Sequence, residues 1–247
     1  MAEQASGGYI DRARADWVPD SRKLAETLAF RIGRDIIAEG QPAGAIFGSE
    51  PELIARYGVS RAVFREAVRI MEHHSVATMK RGPHGGMVVS KPDARAVTAA
   101  TALFLEHEQV APAQLSETRA ALELHAVEAL ATARLSAEQV ERLRAAVRPP
   151  ALTDAPLEFI RSNDFHKVIC QLTGNKALEL FVDVLRTLTS FHSIAVDQET
   201  SPEPSARVAE GIARAHERIA EAIIRRDAAA AREHMRKHLH TMTDWLR

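Results

Sequence analysis

Residues 49 to 89 read SEPELIARYGVSRAVFREAVRIMEHHSVATMKRGPHGGMVV, and the local rules along this stretch specify two short helices in a tight turn, then a hairpin. Ser49 opens the first helix: its hydroxyl can accept from the free amide three residues on while Glu52 reaches back, the reciprocal S-x-x-E capping box. Pro51 fits there because first-turn amides have no helical partner. Leu53, Ile54 and Tyr57 form an apolar face, and Gly58 supplies the left-handed residue that ends the helix. Ser60 caps a second helix running to His73. On it Val63, Ala67, Ile70 and Met71 recur at three- and four-residue intervals, which predicts one buried stripe. Val76 to Met79 and Met87 to Val89 flank the glycine-rich tip Lys80 to Gly86, which predicts a hairpin. Helix, turn, helix and hairpin together make a winged helix-turn-helix.

Arg61, Arg65 and Arg69 recur at every fourth position on another face of the second helix. Two readings compete: an ordinary solvated face held by Glu66 and Glu72, or a face for nucleic acid. The row starts at the helix end that enters the major groove in this motif, and arginine carries the planar fork that suits guanine edges and phosphates. Residues 56 to 91 hold seven basic side chains against two acidic ones, whereas the whole chain has a net charge of −1. Basicity is therefore local, which makes double-stranded DNA the expected partner with strongly salt-dependent affinity. The candidate contacts are Ser49, Ser60, Arg61, Arg65 and Arg69, with Arg81, Gly82, His84 and Gly85 at the hairpin tip.

At 247 residues the chain can hold two domains, each able to bury a core, and 46% hydrophobic with 26% charged residues is an ordinary globular composition. The single cysteine, Cys170, cannot form an internal disulfide. It sits in the apolar run Val168-Ile169-Cys170, where buried filler is the expected role. No run approaches the roughly 18 apolar residues of a membrane span, and Met1 to Asp20 lacks a signal peptide's apolar centre. A cytoplasmic protein without membrane association is expected.

Residues 1 to 20 read as a flexible tail, 21 to 91 as the winged helix-turn-helix domain, 92 to 96 as a linker and 97 to 247 as an all-helical domain. The first helix runs from Ser21 to Glu39, with Leu24, Leu28, Ile32 and Ile36 at four-residue steps and Gly40-Gln41-Pro42 closing it. Beyond Lys91-Pro92-Asp93 alanine and leucine dominate, and helices are expected near 94–108, 112–133, 136–147, 156–173, 175–197, 204–225 and 227–246. The fold class is mainly α. Phe159, Phe165 and Phe181 are expected in the core.

The run Gly48-Ser49-Glu50-Pro51-Glu52-Leu53, continuing through Gly58-Val59-Ser60-Arg61 to Arg65-Glu66-Ala67-Val68-Arg69, resembles the GntR family of bacterial transcription regulators in its FadR-like subfamily. The later segment resembles that subfamily's helical effector-binding FCD domain over about 97–245. Its marks are Glu117-x-Arg119-x-x-Leu122-Glu123, Phe165-His166 leading to Thr173-Gly174-Asn175, and Ala215-His216-x-x-Ile219 leading through Asp227 to Met235-x-x-His238-Leu239. The resemblance implies that Arg61 and Arg65 contact DNA and that the Gly82 to Gly86 wing touches the minor groove. Pro51 departs from it, standing where many members carry a further DNA-contacting arginine.

His216 and His238 lie on the last two expected helices, each about eleven residues from the turn at Asp227, so an antiparallel pair brings them level. His166 from an earlier helix completes a three-histidine cup. In the family such a cup, usually with an aspartate four residues before the first histidine, holds a metal that helps bind a carboxylate effector. Here Ser162 occupies that position, and Asp164, two residues before His166, falls on another helix face. The expected cofactor is a divalent transition metal, zinc or nickel, with Ser162 or Asp164 as the open question and His234 as a rival ligand. Arg119 has two readings: a clamp for a small organic acid, or an i, i+4 salt bridge with Glu123.

These expectations describe a homodimeric, ligand-responsive regulator, a repressor in the first instance, that reads an inverted repeat. Two alternatives compete. One is a metal-dependent hydrolase or lyase built on the histidine cluster, for which no H-E-x-x-H or nucleophile elbow appears. The other is a DNA-binding module whose helical domain only dimerises.

Overall fold

The computed structural model describes residues 24–82, 85–91, 93–147, 165–200 and 206–245, with the side chains at 190–200, 206–209 and 242–245 excepted. The expected tail over 1–20, the helix start at Ser21, His84, Pro92, Phe159, Ser162 and Asp164 lie outside the described residues. The chain divides into two compact units, Met1–Ala96 and Val97–Arg247.

In the first unit the elements follow in the order α1 (Leu24–Ala38), β1 (Ile46–Gly48), α2 (Glu50–Tyr57), α3 (Arg61–His73), β2 (Ala77–Lys80) and β3 (Gly86–Val89). Helix α1 buries Ala25, Leu28, Ala29, Ile32 and Ile36 and packs on α3. Leu24, expected on that stripe, is 60% exposed, because Ala25 and Ala29 complete the core-facing row. The capping box of α2 is formed, with the Glu52 carboxylate accepting from the Ser49 amide at 2.8 Å and the Ser49 hydroxyl accepting from the Glu52 amide at 3.4 Å. Gly58 closes α2 at φ +64°, a conformation a Cβ disfavours. The Tyr57 hydroxyl then ties α2 to α1 by donating to Asp35 Oδ2 at 2.7 Å.

The buried stripe of α3 is Phe64, Ala67, Val68 and Met71. Ala67 and Met71 stand where expected, whereas Val63 and Ile70 are only partly buried. The helical template is the same, displaced by about one residue. Seating the Phe64 ring at 0% exposure removes more apolar surface from water than seating Val63 would.

The hairpin pairs β2 with β3 in antiparallel register from Ala77 opposite Val89 to Lys80 opposite Gly86. Strand β1, not anticipated from the sequence, adds to the other edge of β3 and gives the order β1-β3-β2. A Cβ at Gly86 would lie 2.7 Å from the Gly48 carbonyl oxygen, so this approach of β1 requires glycine.

The second unit is helical: α4 (Arg95–His107), α5 (Pro112–Thr132), α6 (Ala137–Val147), α7 (Phe165–Leu172), α8 (Lys176–Thr200), α9 (Ala206–Ile224) and α10 (Ala228–Trp245). The helix expected from 156 is described from Phe165. One core joins Val127 and Leu130 of α5, Leu143 of α6, Phe165 and Ile169 of α7, Val182 of α8, Ile219 and Ile223 of α9, and Met235 of α10. Phe181, expected inside, is 54% exposed, whereas Leu178, Val182 and Val184 supply the buried apolar side chains of this part of α8. Among the described residues no helix is long and apolar enough to cross a membrane.

Candidate nucleic-acid interface and metal centre

Ser49 and Ser60 cap α2 and α3, and these caps fix where the arginine row begins. Arg61, Arg65 and Arg69 project from one side of α3 with side chains 68%, 65% and 77% exposed. Each has an acidic neighbour. Glu50 of α2 lies near Arg61 and Arg65, and Glu66, rather than Glu72, pairs with Arg69 at 3.1 Å. The Glu72 carboxylate instead accepts from the Met79 amide at 3.0 Å, joining α3 to the hairpin. At the hairpin tip Arg81 and Gly82 are exposed, and the Gly85 amide donates to the Gly82 carbonyl at 2.9 Å.

The histidines converge. His166 lies on α7, His216 on α9 and His238 on α10, all buried, and their ligating nitrogens lie within 4.8 Å of one another. The Nε2 atoms of His216 and His238 are 3.0 Å apart, and those of His238 and His166 are 3.2 Å apart. Each histidine occupies a position that helical periodicity would give to an apolar residue: His216 precedes Ile219, Ala220 and Ile223 on the buried stripe of α9, and His238 follows Ala231 and Met235 on that of α10. The turn between these helices is short. Arg226 takes φ +61°, and Asp227 caps α10 by accepting from the Ala230 amide at 2.9 Å, which brings the two imidazoles level. The Phe165 ring stacks on His216 at 4.2 Å between centroids. His234 is half-buried and outside the converging set.

Glu123 organises the cup, and sequence reasoning had taken it only as a partner for Arg119. Its carboxylate is fully buried and contacts His166 Nδ1, while the Arg119 Nε donates to its other oxygen at 2.6 Å and Arg119 Nη1 donates to Thr189 Oγ1 at 3.2 Å. Burial alone would raise the Glu123 pKa, but Arg119 and His166 outweigh it and hold the group well below the usual carboxylate range. An ionised carboxylate only accepts, so His166 Nδ1 must carry the proton and its Nε2 lone pair faces the cup. The ion pair of Arg119 with Glu123, one of its two expected roles, is formed. The signal for Glu123 was present in the sequence: it falls on the stripe shared by Ala126, Val127 and Leu130, and an acidic residue there needs a buried partner.

Burial pushes the pKa of all three imidazoles down, that of His238 to about 3 and those of His166 and His216 in the same direction. Neutral imidazoles are metal ligands. A single in-plane site on His238 Nε2, either a proton or a lone pair, faces two other Nε2 atoms and pairs poorly with both at once. A cation at the convergence point removes that conflict, so the donor set fits a transition metal. The guanidiniums of Arg119 and Arg186 also lower the His166 pKa, by less than the Glu123 carboxylate raises it.

A winged helix-turn-helix with an exposed arginine row, carried on one chain with a helical unit that buries three converging imidazoles, defines a class: DNA-binding proteins with a helical sensing domain. Residues 114–241 match the family model of the FCD domain. The HTH-type transcriptional repressor NanR of Cronobacter sakazakii is 28% identical over 230 residues, spanning 90% of this chain and 83% of that protein. A solved structure described as Streptococcus agalactiae GntR shares the fold with a TM-score of 0.62 at 20% identity, covering 89% of this chain and 99% of that one. This chain belongs to the GntR family of transcription regulators with an FCD domain, and it is a ligand-responsive DNA-binding regulator.

Proposed function

We propose that the chain is a homodimeric repressor whose FCD domain holds a divalent transition metal on His166, His216 and His238 and senses a small organic acid through it. The observation that carries this reading is the convergence of three buried, neutral imidazoles, with Glu123 fixing the tautomer of one of them. Bound there, the metal supplies a Lewis-acidic centre with positions left for a carboxylate. The ion would also bring positive charge to a cup where Arg119 and Arg186 oppose the Glu123 carboxylate, which favours an anionic effector. Repression is supported by the naming of the NanR relative as a repressor.

At the other end of the chain, Arg61, Arg65 and Arg69 contact the operator from the major groove, with Ser49 and Ser60 offering hydroxyls and caps and with the wing residues Arg81, Gly82, His84 and Gly85 at the minor groove. Two-fold symmetry pairs two such heads on an inverted repeat. Effector binding shifts the balance between head arrangements because it favours one of them. Glu123, tied by both Arg119 and His166, is engaged as an orienting group rather than placed as a general base, which favours sensing over turnover.

Two measurements test this. Elemental analysis of the purified protein should find about one transition-metal ion per chain, lost in His216→Ala. Selective binding to promoter DNA should be lost in the combined Arg61→Ala and Arg65→Ala variant, while the thermal transition persists. Wild-type protein that takes up no zinc or nickel would remove the metal reading, and binding that survives the double substitution would remove the DNA-face reading.

A further inference from the structure

Glu50 occupies the first position of α2, directly after the Ser49 cap. Its Oε1 accepts from Arg65 Nε at 3.2 Å and lies 3.5 Å from Arg61 Nε. One oxygen atom therefore bonds the Nε edge of Arg65 and forms an ion pair with the guanidinium of Arg61 from its Nε side. The donor pair at the far end of each guanidinium is directed away from that contact, and the terminal Nη pair is one of the two edges with which arginine forks a base or a phosphate. Both arginine side chains are about two-thirds exposed while Glu50 is 27% exposed.

Exposed ion pairs add little to folding stability, because solvent screens them and ordering long side chains costs rotamer freedom. Stability is thus a poor account of the arrangement. Arg69 offers the contrast: its partner Glu66 sits on the same helix and moves with it, whereas Glu50 reaches across from α2 and so fixes the direction of Arg61 and Arg65 relative to the turn between the helices. Two flexible cations are ordered before DNA arrives, which lowers the entropic cost of a correctly placed contact. The carboxylate also repels any phosphate that approaches the pair without base contacts to compensate.

We infer that Glu50 is a positioning and specificity-determining residue, which aims Arg61 and Arg65 at the groove and weakens binding to non-cognate duplex. The inference rests on the reading of α3 as the DNA face. It is tested with the full-length chain on two probes: a duplex selected from a randomised library by the wild-type protein, and a scrambled duplex of equal length and composition. Glu50→Gln keeps the side chain's shape and removes its charge. In this variant, affinity for the scrambled duplex should rise about eightfold at roughly 0.1 M salt, with a log–log salt slope steeper by about one. Affinity for the selected duplex should gain less, so that discrimination falls about fivefold or more.

The same substitution in an Arg65→Ala background should change discrimination much less, since Glu50 acts through the arginines. A merely structural role would instead lower the melting temperature and give additive losses. Discrimination by Glu50→Gln within about twofold of wild type, or strict additivity with Arg65→Ala, would overturn the inference. Selective binding that survives Arg61→Ala with Arg65→Ala would remove the underlying DNA-face reading as well, so the two failures are distinguishable.

Discussion

Replacing Glu123 by glutamine separates the two tasks its carboxylate performs. The side chain is fully buried, with one oxygen on Arg119 and the other on His166. Breaking a buried ion pair by removing one partner costs about 3–5 kcal/mol, and an exposed pair about 0–1 kcal/mol. Arg119 is 21% exposed and keeps its contact with Thr189, so Glu123→Gln should cost about 2–3 kcal/mol, between those limits. For a unit of this size that lowers the melting temperature by roughly 5–10 °C. The His166 proton also loses an ionised acceptor, and removal of such an outer partner weakens metal binding about 10- to 100-fold. Differential scanning fluorimetry of the metal-free protein reads the first effect, and competition with a chromogenic zinc chelator reads the second. Zinc affinity within about twofold of wild type, alongside a lowered melting temperature, would show that Glu123 is only an ion-pair partner and refute its role in orienting the cup.

Phe64→Ala should cost the first unit about 3–5 kcal/mol, because the ring is fully buried and the helices around it can collapse only in part. Hydrogen exchange should show amide protection in α3 falling by about two to four orders of magnitude while the second unit is unaffected. Burial pushes the Cys170 thiol from 9.0 up to about 12, so in folded protein at pH 8 it should resist iodoacetamide and react only on unfolding. A group raised in this way contributes stability that is intact below its unfolded pKa and lost as pH climbs towards the folded one. The alkaline limb of wild-type stability should therefore fall more steeply than that of Cys170→Ala above pH 9, as equilibrium urea titrations would show. Tyr57 has the same sign: burial, then its bond to Asp35, raises the phenol, so Tyr57→Phe should flatten the loss of stability of the first unit at high pH.

Caps and turns were the most legible features of the chain. Ser49, Glu52, Gly58 and Ser60 act within four residues of themselves, so their rules need no tertiary context. Which apolar residues of an amphipathic helix turn inward depends on the partner surface, and the exchange of Val63 for Phe64 on the buried stripe came from the packing of α1. Strand β1 escaped notice because three residues are too few for a period-2 pattern, and its pairing is set by Gly86 forty residues on. In the helical unit, His216 and His238 could be placed level from their equal spacing about Asp227. The contact of Glu123 with His166 and those of Glu50 with Arg61 and Arg65 were less legible, because each joins two helices.

The three histidines also have a topological consequence. His216 and His238 are 22 residues apart, and His166 and His238 are 72 apart, so an ion held by all three would close two long loops of chain. Loop closure restricts the unfolded ensemble more than the folded one, which is the reasoning usually applied to disulfides. With a single cysteine, this chain has no internal disulfide to draw on. A coordinated ion would act as a cross-link that acid or a chelator can open and fresh metal can close, which would make the rigidity of the sensing domain a function of metal supply.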